Sequence, residues 1–313
     1  PAWTGMIKDI LVWIIMFIMV LSIPYIWFDG WGDMLHQAIT KYPKKMTLPG
    51  TSGGALDGVW FGTASLISAL ALFMWPHAST GALSAKSEET LRRNTVFLPF
   101  YNLLLFFITF LGVVAFMVLP KHPGDQSFSN FALLHLIDAS YTQPILVGFM
   151  YATIALASLV PASIMVLAGS NLLATNILQD WLMPSLSDEK RTLVARLLVF
   201  LITAVALLFG ILFPNYLIQL QLEGTSGMVQ IIPAIFLSLY WKKLSKIPVI
   251  IGLISGIAMV FLNHFVFHLP GYDGFWGLLV NVILVFGLNF FFIVDAEKNL
   301  RTNQLLKDDQ AMN

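Results

Sequence analysis

The sequence predicts an all-α, polytopic membrane protein of about eight transmembrane helices, and three observations carry that prediction. Hydrophobic residues fill 58% of the 313 positions and charged ones 11%, with a mean hydropathy of +0.79, far from the soluble norm. Apolar runs near 6–28, 56–76, 96–119, 143–178, 193–213, 216–241, 247–267 and 274–294 each approach or exceed the roughly 20 residues that cross a bilayer. Asp, Glu, Lys and Arg are missing from the central part of every run. The formal net charge is zero, so nothing suggests a nucleic-acid partner, and the absence of cysteine removes disulfides and thiolate sites.

Taken in order, the first run lacks the small-x-small pattern of a cleavable signal, so it reads as a true span. The chain opens on Pro1, which implies a processed start or a piece of a longer protein. The second run carries Gly58, Gly62, Thr63, Ser65 and Ser68 and is closed by Pro76. After the third run, residues 130–137 are too short to span and read as an interfacial helix or re-entrant piece. The fourth run organises the rest: within LVPASIMVLAGSNLLATNILQD (159–180), Ser163, Gly169, Ser170, Asn171, Thr175 and Asn176 lie where lipid offers no hydrogen-bond partner. Its stripe Gly148, Ala152, Ala155, Ser158, Ala162, Ser163 suits close helix packing, cavity lining or both.

The fifth run is plainly apolar. In the sixth, Gly224 and Gly227 are expected to interrupt the helix next to Glu223, which reads either as a cavity residue or as an exposed one at the external mouth. His264 and His268 close the seventh run at i,i+4, a chelating spacing, but without a third ligand nearby they read as interface histidines and no metal site is assigned. Residues 295–313 form a short polar tail after the 1–294 bundle. No paired carboxylates or serine–histidine set appears at membrane depth, so an enzyme is not expected.

Orientation follows from lysine and arginine, which resist translocation. Alternate ends carry 13 of them on one side, among them Lys86, Arg92, Arg93, Lys190 and Arg191, against Lys41, Lys44, Lys45 and Lys121 on the other. Both termini of this chain are therefore expected in the cytoplasm of a cell bearing the protein in its plasma membrane.

Four stretches share an order and separation: AWTGMIKD (2–9), WPHASTGALSAKSEETLRRN (75–94), the polar helix 159–178, and YLIQLQLEGTSGMVQIIPAIFLSLYWKK (216–243). Together they resemble the sodium:solute symporter family, and the VPASIM, WPH and QLQL segments look most like its monocarboxylate permease branch. The resemblance implies part of a leucine-transporter-type inverted-repeat bundle, namely the fifth to tenth core helices plus two peripheral ones. The first four core helices would be supplied by the rest of the protein or by another chain. It further implies cation-coupled symport of a small organic solute such as lactate or pyruvate, with Na+ or H+ as the coupling ion and no cofactor. Trp60, Ser65, Ser68, Asn171, Gln221 and Gln230 become candidate solute contacts. His77 falls in the family's PH motif, where it reads as a loop anchor or a pH-responsive gate.

The family's second sodium site uses two adjacent hydroxyls on the helix that matches the fourth run, where this chain has Val166 and Leu167. The implied ion site, Ala162, Ser163, Val166, Leu167 and Ser170, is thus degenerate, because a hard cation wants oxygen ligands. Ser163 and Ser170, three and four residues from Val166, share its helical face and are the residues available to replace the lost oxygens, although serines in transmembrane helices more often bond a carbonyl of their own helix. A competing reading stays open: a non-transporting membrane module, either a truncated remnant or the sensory or partner half of a split transporter.

Overall fold

The computed structural model describes residues 2–47, 55–120 and 130–291, so the polar tail and the last residues of the eighth run lie outside it. Among the described residues all regular structure is helical. Seven helices are long and apolar enough to cross a membrane, and an eighth candidate span is broken into Gly58–Met74 and Pro76–Leu83. The break has a local cause: Trp75, ahead of Pro76, is held extended at φ −65° and ψ 131°, as a residue before proline prefers. The chain divides into two compact units, residues 1–46 with 76–217, and residues 47–75 with 218–313.

The first unit is built on α1 (Ala2–Trp27), against which α5 (Glu88–Val118) and α7 (Pro144–Leu172) pack, with Ile15, Met19, Ile23, Leu104, Leu111 and Met150 in the shared core. Pro24 inside α1 leaves the Val20 carbonyl without its helical donor, and the Trp31 indole N–H supplies one at 3.1 Å. Trp31 opens α2 (Trp31–Lys41), an amphipathic helix whose Met34 and Ala38 are buried. That helix escaped the hydropathy reading because eleven residues are too few to span. The short segment expected at 130–137 is α6 (Ala132–Ser140), lodged against α5 and α7 with Leu136 and Ile137 fully buried. Just beyond it the Tyr141 hydroxyl pairs with Ser22 at 2.5 Å, and burial pushes the phenol up, so it stays protonated.

The stripe of small residues on α7, suited to packing or to cavity lining, is not covered by another helix among the described residues. Gly148, Ala152, Ala155, Ser158, Ala162 and Ser163 are all exposed, whereas Met150 and Thr153 face the core. α4 (Pro76–Leu83) and α8 (Asp188–Leu212) flank α7, and α8 buries no residue fully. Between α7 and α8 the backbone widens into π-type turns over Leu173–Leu182.

The second unit comprises α3 (Ala55–Ala71), α9 (Leu217–Met228), α10 (Ile232–Tyr240), α11 (Lys246–Leu262) and α12 (Asp273–Phe291). Gly224 and Gly227 do not break the sixth run as expected; both sit inside regular α9. The irregularity comes later, as a tight turn at Val229–Ile231 that Pro233 follows in the first turn of α10. Close approach is made instead by α11 and α12. A Cβ added to Gly256 would lie 2.5 Å from Gln230 Oε1, and one added to Gly277 would lie 2.7 Å from the Gly256 carbonyl.

Candidate functional site

The polar stretch of α7 presents few oxygens for an ion. Ser163 is exposed and donates to the Val160 carbonyl at 2.7 Å; Ser170 is buried and donates to the Leu167 carbonyl at 2.9 Å. Both hydroxyls thus bond back into their own helix. Seven residues separate them, about 10 Å along the axis at 1.5 Å per residue, too far to share one cation. Ala162 and Leu167 are exposed and Val166 is half-buried, none with a side-chain oxygen. Of the two readings of these serines, replacement of the lost hydroxyls fails on distance, and bonding back into the helix is what both hydroxyls do.

One turn further, the same helix lines a cavity of about 460 Å³ within the first unit. Leu167, Asn171, Ala174 and Thr175 form one wall, and Arg191, Thr192, Ala195, Arg196 and Val199 of α8 form the other. Ser187 stands at the N-cap of α8 without a side-chain capping bond, and Asp188 and Glu189 fill the first turn, where carboxylates favour a helix start. Arg191 is fixed: its Nη1 donates to Gln179 Oε1 at 3.1 Å and lies 3.4 Å from Asp188 Oδ1. No carboxylate among the described residues pairs with the exposed Arg196. Thr192 donates its hydroxyl to the Asp188 carbonyl at 2.9 Å, which leaves two guanidinium groups, the Asn171 amide and the Thr175 hydroxyl to hold a small anion. Of these residues only Asn171 was singled out as a solute contact. The arginines were missed because, counted as loop charges, they served only to set orientation.

In the second unit the other candidates separate. Trp60 packs edge-on to Tyr272 with ring centroids 6.1 Å apart, and Thr63 Oγ1 accepts from the Tyr272 amide at 2.8 Å. Ser65, Ser68 and Gln221 are exposed. Gln230, expected to face solute, is fully buried: its Nε2 reaches the Ser226 carbonyl at 3.1 Å and the Gly274 carbonyl at 3.3 Å. Asn281 Nδ2 in turn donates to the Gln230 carbonyl at 2.8 Å. With its polar atoms engaged between α11 and α12, Gln230 joins helices rather than lining a cavity. His264 does not pair with His268. Its Nδ1 lies 3.0 Å from Asp273 Oδ2 and 3.4 Å from Glu223 Oε1, while His268 takes a left-handed conformation at φ 49° to end the helix. His77 is half-buried at the start of α4.

With this geometry in hand, a model of the sodium:solute symporter family matches residues 2–256. The chain belongs to that family. It is 49% identical to an uncharacterized symporter, YodF, of Bacillus subtilis (strain 168), over 96% of this chain and 59% of that protein. A monocarboxylate transport permease protein of Rhizobium johnstonii is 31% identical over 77% of this chain and 48% of its own length. A sodium/glucose cotransporter of Vibrio parahaemolyticus is 24% identical over 90% of this chain and 53% of its own length. The chain thus spans about half to three fifths of the curated relatives it matches. No solved structure matched.

As a sodium:solute symporter family member, the chain is a multi-pass membrane protein, and the relatives named here are described as transporters rather than enzymes. Val166 and Leu167 stand where the resemblance calls for adjacent hydroxyls, on a helix that otherwise keeps its polar end.

Proposed function

We propose that the protein containing this chain is a cation-coupled symporter of a small monocarboxylate such as lactate or pyruvate. It works by alternating access in the plasma membrane, with both ends of this chain cytoplasmic. The observation that carries the solute class is the cavity walled by Asn171, Arg191 and Arg196, a donor set suited to one carboxylate. Family membership supports symport, and the resemblance to a monocarboxylate permease supports the same solute class. The helices that complete the bundle come from the remainder of the protein or from a partner chain.

The test is uptake of labelled lactate or pyruvate by proteoliposomes holding the protein made from its complete coding sequence. Uptake driven by a sodium or a proton gradient is expected. Arg196→Ala should raise KM about tenfold, the order of one charged hydrogen bond lost. Absence of uptake under both gradients would overturn the reading. It would favour instead a non-transporting module, for which the Val166 and Leu167 pair speaks.

A further inference from the structure

We infer that Glu223, His264 and Asp273 form a binding site for a divalent transition ion, with Zn2+ as its best occupant. The three side chains come from α9, the end of α11 and the start of α12, and one donor atom of each lies within 4.8 Å of the others. Tetrahedral zinc with bonds of about 2.0–2.1 Å sets its ligand atoms roughly 3.3 Å apart, and a right-angled pair about 3.0 Å apart. His264 Nδ1 lies 3.0 Å from Asp273 Oδ2 and 3.4 Å from Glu223 Oε1, within that spread. A proton serves this arrangement less well. Nδ1 carries one hydrogen but faces two carboxylates, and even a fully charged imidazolium leaves the group at a net −1. No lysine or arginine among the described residues pairs with it. A divalent ion bonded to all three neutralises both carboxylates at once.

The surroundings hold the donors as ligands are held. Asn263 Nδ2 donates to Asp273 Oδ1 at 2.6 Å, leaving Oδ2 for the shared position, and Asn263 Oδ1 accepts from the Leu269 amide at 2.9 Å. π-type turns over Asn263–Phe267, closed by the His268 amide on the Asn263 carbonyl at 2.9 Å, fix both Asn263 and His264. One turn inward from Glu223, Ser226 is fully buried. Its hydroxyl sits about where Gly274, the residue after Asp273, leaves room: a Cβ there would be 3.0 Å away. The imidazole nitrogen selects against Na+ and Ca2+, which prefer oxygen alone, so this site is distinct from a coupling-sodium site.

The protein, expressed from its complete coding sequence with its affinity tag removed and stripped by chelator, is titrated with Zn2+ against a chromophoric competitor. One equivalent should bind. His264→Gln and Asp273→Asn should each weaken it at least about 100-fold, and Asn263→Ala about 10–100-fold, as outer partners of metal ligands do. Should a variant lose its monodisperse elution profile, zinc-edge absorption on the unaltered protein decides the matter. A nitrogen and oxygen shell with one imidazole supports the site, and two or more imidazoles overturn it. Absence of an equimolar site, or Zn2+ binding unchanged in His264→Gln, overturns it as well. Because no solute gradient is involved, the outcome is independent of the transport assay.

Discussion

Gln230 illustrates how a single residue's role depends on a partner far along the chain. From sequence it is a polar side chain deep in an apolar run, equally suited to a solute or to another helix. The deciding contact, with Asn281, is 51 positions away. The same holds for Glu223 and Asp273. The i,i+4 histidines were visible, but the return of α12 beside α9 was not, so the carboxylates that actually meet His264 were left out. Packing energetics here are sharp enough to test. Gly256→Ala would put a methyl 2.5 Å from Gln230 Oε1 and 3.0 Å from the Gly277 carbonyl, an overpacking that should cost about 1–3 kcal/mol. Gly112→Ala, with nothing within 4 Å of the added carbon, should be neutral or stabilising by about 0.5–1 kcal/mol. Thermal unfolding in detergent should therefore separate the two variants in opposite directions. Gln230→Ala should fall with Gly256→Ala, since it strips three buried hydrogen bonds.

Among the elements, long apolar helices were legible because a bilayer imposes length and composition on them. Their irregularities were not. The tight turn at Val229–Ile231 falls between the glycines and Pro233 rather than at the glycines themselves, and the π-type widening over Leu173–Leu182 leaves no mark in hydropathy. α7 is where this matters for function. Its ion-site positions lack adjacent hydroxyls, and its two serines are two helical turns apart and bonded to their own backbone. Uptake by the unaltered protein is accordingly expected to depend only weakly on sodium through this site. The double change Val166→Ser with Leu167→Ser should restore two neighbouring oxygens and steepen the dependence on external Na+. A steep sodium dependence that the double variant leaves unaltered would show the coupling cation to be bound elsewhere.

The molecule as a whole leaves one face of α7 unexplained by its own packing. Small residues in stripes usually mark where another helix approaches, because lipid gains nothing from a row of glycine and alanine. Yet Gly148, Ala152, Ala155 and Ser158 are exposed in the first unit, and the helix buries its Met150 side instead. The curated relatives are about 1.7 to 2 times as long as their matched part, and we propose that helices of the remainder of the protein cover this face. On that account Ala155→Trp should wedge the assembled bundle apart. An overpacking cost of about 1–3 kcal/mol corresponds to roughly a 5- to 150-fold loss in the competent population, and uptake should fall accordingly. Phe200→Ala on α8, whose ring is 75% exposed, should leave uptake within about twofold, as surface changes do. If Ala155→Trp transports as well as the unaltered protein, the stripe faces lipid and the bundle is completed on another side.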